Sequence, residues 1–150
     1  MLIHELNPDE CAEVLSKNHL GRLGCSRYDQ PYIVPIYFSF DAERNCLYAF
    51  STIGQKIAWM RENPKVCLEA DDIGDMSHWT TVLVIGRYEE IQRTPEESEA
   101  RNRATQLFQQ RREWWFPGAA KLDSAEHPDV VVYRIQIDRL TGRRANRDRD

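Results

Sequence analysis

No apolar run in the 150-residue sequence approaches the ~20 residues needed to cross a bilayer; Val82 to Ile85 and Val130 to Tyr133 have only the length of strands. Met1 to Glu10 carries no signal-peptide core, so the expectation is a cytoplasmic protein with no membrane partner. The four cysteines, Cys11, Cys25, Cys46 and Cys67, form no C-x-x-C pair, and His4, His19, His78 and His127 are scattered, which leaves a metal site without support. The cysteines read as reduced, partly buried small hydrophobes. There is no G-x-S-x-G elbow and no Walker loop, which argues against a serine hydrolase or a nucleotide triphosphatase. Positive charge is not in surplus: 20 Lys and Arg face 24 Asp and Glu, a net charge of -4, which argues against nucleic-acid binding by bulk electrostatics. Linkers, repeats and low-complexity stretches are missing too.

What remains is a chain with 41% hydrophobic and 10% aromatic residues, enough for one folded core. Residues 1–142 read as a single domain and 143–150 as a charged tail. Asn7-Pro8-Asp9-Glu10 starts a helix to about Lys17, with Cys11, Val14 and Leu15 on its inner face. Leu20 to Tyr28, Tyr32 to Phe40 and Asn45 to Ser51 predict a meander of three antiparallel strands. Pro35 cannot donate to a ladder, so the second of these is an edge strand, bulged, or pressed against something other than a strand.

Gly54 to Glu62 predicts a helix ended by Asn63-Pro64, and Lys65 to Ala70 a fourth strand. Asp71 to His78 reads as a polar loop, and Trp79 to Gln92 as a strand bent near Gly86. Thr94, Pro95 and Glu97 predict a capping box ahead of a polar helix that ends at Trp114-Trp115-Phe116. Val130 to Thr141 supplies the last strand. The fold class expected is mainly β with some helix (α+β): a six-stranded antiparallel barrel with helices packed outside.

The most informative stretch is Phe50-Ser51-Thr52-Ile53-Gly54-Gln55-Lys56, where a strand ends in two hydroxyls and a helix begins with a lysine in its first turn. First-turn N–H groups and the helix dipole attract phosphate, hydroxyls donate to it, and lysine adds charge. An ordinary N-cap made by Ser51 or Thr52 is the competing reading. The strand Tyr32-Ile33-Val34-Pro35-Ile36-Tyr37 leaves backbone free to meet a flat polar ring, or is simply an edge. Trp114-Trp115-Phe116 is a core plug or an interface anchor. Asp71-Asp72 and Glu89-Glu90 point to opposite faces of an extended chain, so neither reads as an acid/base dyad.

The ordered set of segments resembles the pyridoxamine 5'-phosphate oxidase-like, FMN-binding split-barrel superfamily, especially its short flavin-binding and nitroimidazole-resistance branches. The resemblance spans roughly residues 10 to 142. It is carried by His19-Leu20-Gly21-Arg22-Leu23-Gly24, Pro31 to Ile36 and Leu47 to Lys56, then by Asn63 to Leu68, Trp79 to Gly86, Arg134 to Ile137 and Leu140 to Arg143. It implies an FMN-binding oxidoreductase: a homodimer with flavin at the subunit interface, a small flat reducible substrate, and a nicotinamide nucleotide as a possible electron donor. By the resemblance, Ile33, Val34, Pro35 and Ile36 lie along the isoalloxazine, and Phe50, Ser51 and Thr52 line the pocket. Gln55 and Lys56 hold the phosphate, Thr81 contacts the ring, and Trp115 arrives from the partner chain. Arg22 is a candidate for positive charge near the pyrimidine edge. His19 aligns near a functional histidine of the nitroimidazole branch. The oxidase proper has arginine- and serine-rich phosphate contacts around Ile33 and Gln55, which points away from pyridoxamine phosphate as substrate. Alternatives on the same barrel are a flavin carrier without turnover, or a haem or deazaflavin protein.

Overall fold

Asn7 opens the first helix as its neighbours predict. In the computed structural model, which describes residues 1–110 and 130–147, Asn7 Oδ1 accepts the Glu10 N–H at 2.8 Å and Glu10 Oε1 accepts the Asn7 N–H at 3.2 Å. This reciprocal cap precedes α1 (Pro8–Lys17), whose Cys11, Val14 and Leu15 are buried. Asn7→Ala is expected to cost about 1 kcal/mol, measured as a lower denaturation midpoint with an unchanged slope.

The strands are β1 (Leu2–Glu5), β2 (Leu20–Arg27), β3 (Gln30–Tyr37), β4 (Ser39–Asp41), β5 (Cys46–Thr52), β6 (Lys65–Asp75), β7 (His78–Glu90) and β8 (Val130–Asn146). They form one antiparallel sheet in the order β3-β2-β6-β7-β8-β5-β4, with β1 paired to the distal end of β8. The sheet is a split barrel that does not close, and it has eight strands rather than the six expected. The expected second strand breaks at Phe38, which is fully buried and whose N–H donates to His19 O at 2.8 Å. The break gives β3 and β4, so the three-strand meander does not form: β3 pairs with β2, whereas β5 pairs with β4 and β8. The second added strand is β1.

Three further expectations are corrected. The presumed loop from Asp71 to His78 is mostly sheet, because β6 runs to Asp75 and β7 begins at His78. The charged tail does not begin at Arg143: Arg143 and Arg144 lie in β8, opposite Thr81 and Thr80 of β7 and Glu5 and His4 of β1. Thr94 makes no side-chain cap, since Glu97 instead accepts the Gln92 N–H at 2.6 Å; a 3-10 turn, Pro95–Glu97, then leads into α3 (Ser98–Gln109). The remaining helix, α2 (Gln55–Glu62), ends at Asn63 as expected.

Inward residues of the curved sheet, among them Leu23, Leu47, Leu68, Val82, Val84 and Ile135, make the main core, to which α1 and α2 add Leu15, Ile57 and Met60. A second cluster on the other face of β5 and β8 joins Tyr48 and Val132 to Phe108 of α3. The bend at Gly86 is a β-bulge: Ile85 faces Arg139 and Gly86 faces Ile137, leaving Asp138 as the extra residue of β8. Through that bulge Ile137 stays in the core while Arg139 turns outward.

Candidate functional site

Alternation on β2, β6 and β7 divides the sheet into a core face and an outer face. Leu23, Leu68 and Val84 point inward, whereas Arg22, Glu69, Asp71, Leu83 and Ile85 stand outside. A cavity of about 920 Å³ lies over this outer face, walled by Tyr32, Ile33, Leu83 and Ile85 and carrying Arg22, Cys67, Glu69 and Asp71. A second cavity, about 590 Å³, runs from Glu69, Thr81 and Leu83 to Arg139 and Arg143 of β8. Glu69 and Leu83 belong to both.

The polar groups at this junction are joined. Arg22 NH1 lies 3.0 Å from Asp71 Oδ2 and 3.6 Å from Glu69 Oε2, and Thr81 Oγ1 donates to Glu69 Oε1 at 3.0 Å. Burial foremost, then the neighbouring Asp71, pushes the Glu69 carboxyl above its ordinary pKa against the opposing pull of Thr81 and Arg22.

The start of α2 is the second feature. Ser51 Oγ donates to the Thr52 carbonyl at 2.8 Å instead of accepting from the helix, and Gly54, the N-cap residue, provides no side chain. The first intrahelical bond is Ala58 N–H to Gly54 O at 3.0 Å, so the N–H groups of Gln55, Lys56 and Ile57 point out of the helix end without a side-chain cap. The ordinary N-cap reading of Ser51 and Thr52 is therefore not what the structure contains. Lys56, half-buried, has no carboxylate partner among the described residues. Burial lowers its pKa; the opposing influence comes only from the Cys25 thiol, itself pushed up by burial.

The helix carrying these groups is firmly seated. Trp59 packs on Tyr32 with ring centroids 5.5 Å apart, the Arg27 guanidinium lies 5.0 Å over the Trp59 ring, and Asn63 Nδ2 donates to Ser26 O at 3.2 Å. Tyr32 thus touches α2 and also lines the larger cavity.

The site residues expected from sequence are spread over several places. Ile33 and Arg22 line the larger cavity, and Thr81 lines the second. Ser51, Thr52, Gln55 and Lys56 surround the start of α2. Phe50 packs edge-on against Phe108 at 5.0 Å, on the α3 side. Of the four β3 residues expected along the ring, Ile33 and Pro35 turn outward, whereas Val34 and Ile36 pack on the core, so of the latter two only backbone can meet a ligand on the outer face. His19 stacks on Tyr37 with centroids 6.3 Å apart. Trp115 lies outside the described residues. Glu69 and the grouping of Asp71 with it were missed from sequence, although two carboxylates at positions i and i+2 of a strand share a face.

A family model for pyridoxamine 5'-phosphate oxidase matches residues 7–144. The chain belongs to this family. An uncharacterised relative from Rhizobium meliloti is 38% identical over 148 residues, covering 97% of both chains. The crystal structure of an FAD-binding protein from Mesorhizobium loti is 38% identical and covers 97% of this chain and 100% of its own, with a TM-score of 0.80. A candidate 5-nitroimidazole antibiotic resistance protein from Bacteroides thetaiotaomicron has the same fold: TM-score 0.67 at 16% identity, covering 98% of this chain and 93% of its own. Membership of the pyridoxamine 5'-phosphate oxidase family thus agrees with the split-barrel topology.

Proposed function

We propose that this member of the family is a homodimeric flavin-dependent oxidoreductase that seats the phosphate of FMN at the start of α2. The observation that carries the reading is the uncapped first turn of α2 next to Lys56, a half-buried ammonium with no carboxylate partner among the described residues. Three outward N–H groups at the positive end of a helix favour an anion, and a phosphate would supply the counter-charge that Lys56 lacks. The residues therefore fit a flavin phosphate. Ser51, Thr52 and Gln55 stand close enough in sequence to add neutral hydrogen bonds.

Around the ring, Ile33 and Pro35 offer an apolar strand edge with free backbone; the family resemblance, and not their placement, is what would add Phe50, Thr81 and the partner's Trp115 to the pocket. Arg22 shares its charge with Asp71 and Glu69, so toward the pyrimidine edge it acts as part of an ion-paired group. The bound flavin supplies hydride or electron transfer to a small flat reducible substrate, with a nicotinamide nucleotide as donor, while the chain binds, orients and excludes water. The Mesorhizobium loti relative is described as FAD-binding, and FAD contains the same FMN unit, so the extracted ligand must be identified by mass.

The protein purified without added cofactor is expected to be yellow, or to bind added flavin. A colourless protein that takes up neither FMN nor FAD would sink the proposal. Lys56→Ala should weaken flavin binding by about 1.5–3 kcal/mol, the worth of one charge-assisted contact, with the dimer intact on size-exclusion chromatography. Unchanged affinity would put the phosphate elsewhere.

A further inference from the structure

We propose that Glu69 and Asp71 form a proton-holding pair at the junction of the two outer cavities, with Glu69 delivering its proton to a reducible molecule bound against Leu83 and Ile85. The proposal rests on the flavin reading for its source of electrons. Its geometric basis is an imbalance of charge. Two carboxylates on one face of β6 share one guanidinium, and the closer contact, 3.0 Å against 3.6 Å, goes to Asp71. Glu69 receives instead the neutral Thr81 hydroxyl at 3.0 Å. Both side chains are largely withdrawn from water, 34% and 22% exposed. Like charges in one partly desolvated site disfavour each other, so a proton taken up there is favoured on the carboxyl with the poorer cationic partner, Glu69.

The other charged and titratable groups do not repair the imbalance. Among the described residues Arg22 is the only cation within ion-pairing distance of Glu69. Cys67, next on the same face of β6, is a thiol. At the rim of the larger cavity Arg87 is already paired with Asp138 at 3.3 Å, and Lys65 lies beyond Cys67 on β6. Across the second cavity stand Arg139 and Arg143 of β8 and Glu5 of β1. Glu69 lines both cavities, so a molecule entering either one can reach its carboxyl.

A bound reduced flavin would supply the hydride, its own oxidation balancing the substrate's reduction. The part of this chain would be the proton: the Glu69 O–H bond would break, the proton would pass to the reduced oxygen or nitrogen of the substrate, and the carboxylate left behind would regain a proton from water. Infrared spectroscopy of the ligand-free protein tests the holding of the proton without reference to flavin. A protonated carboxyl band should persist well above the ordinary Glu range of about pH 4.3, vanish in Glu69→Gln, and titrate at lower pH in Asp71→Asn, where Arg22 becomes free to pair with Glu69. Absence of that band, its survival in Glu69→Gln, or an unmoved titration in Asp71→Asn would overturn the pair.

Delivery is tested by mixing the reduced, flavin-loaded protein with nitrobenzene. Compared at flavin saturation, Glu69→Gln should slow reoxidation by about 100-fold and flatten its pH dependence. A wild-type rate and pH profile in that variant would overturn delivery. A protein that binds no flavin would defeat the oxidoreductase reading together with the delivery step, and the infrared result would still decide whether the pair holds a proton.

Discussion

Gly86→Ala is expected to destabilise the protein by about 3 kcal/mol, a fall in Tm of roughly 6–12 °C for a chain of this size. A Cβ built on Gly86 falls inside contact distance of the Gln136 carbonyl oxygen and 2.9 Å from Ile135 Cγ2. The offending atom is backbone, and β8 has no freedom to retreat. It is paired with β7 on one side and with β5 on the other, and Gln136 Nε2 and the Ile137 N–H both donate to Asn45 O, at 3.0 and 3.1 Å. Relief must therefore open the bulge itself. Gly54→Ala is the control without a clash, because a Cβ there meets nothing within 4 Å, and its cost should not exceed about 1 kcal/mol, that of Ala at a helix N-cap. Equal stability of the Gly86 variant and wild type in thermal and urea unfolding would show that β7 and β8 are not so closely apposed.

The second large effect concerns Asp41, whose side chain is fully buried at the end of β4. Arg103 Nε of α3 lies 3.1 Å from Oδ2 and Arg44 NH1 3.4 Å, while the Arg44 N–H donates to Oδ1 at 3.3 Å. Burial alone would raise the pKa of this carboxyl. The Arg103 hydrogen bond, the Arg44 N–H and the two cationic charges outweigh it and hold the group below the ordinary Asp value. Asp41→Ala removes the buried carboxylate on which Arg103 of α3 and Arg44 of the β4–β5 turn converge, leaving them the exposed Glu43 and Glu99, at an expected cost of about 2–3 kcal/mol.

The sign of the pH effect follows from the direction of the shift. A carboxyl more acidic in the folded than in the unfolded state contributes its full stabilisation above the unfolded value of about 3.9, and loses it as pH falls through the lower folded value. Asp41→Ala should consequently lower stability most near neutrality and flatten the acid limb of the stability curve. Parallel curves for wild type and variant would assign the acid sensitivity to other carboxylates.

Local chemistry made part of this fold legible. Asn7 and Glu10 specify a helix start within four residues, Pro35 marks an edge strand because its missing donor is a property of one residue, and Gly86 marks a bend. Features that depend on distant partners were not legible. Leu2 to Glu5 is exposed along its whole length and becomes a strand only by pairing with Arg143 to Asn146, while Arg144, read as part of a charged tail, reaches Glu10 at 3.2 Å. The stretch after Asp71 looked like a loop because strands extending past the core need no apolar face. At the candidate site the lysine-bearing helix start was readable as a contiguous motif. The Glu69 grouping was not, because Arg22, Glu69 and Thr81 meet only through the register of three strands.

Edge strand β3 also limits how another polypeptide can approach. Pro31 and Pro35 are four residues apart and have the same parity, so their nitrogens fall on the same side of the strand, and the unbroken pairing with β2 through both positions argues that this is the free side. An incoming strand would find two donors missing within five residues, with the exposed Ile33 between them. Such an edge is a poor template for strand addition and for the sheet-to-sheet growth that leads to aggregates. A second copy of the chain, as proposed above, would therefore have to dock without extending the sheet along β3.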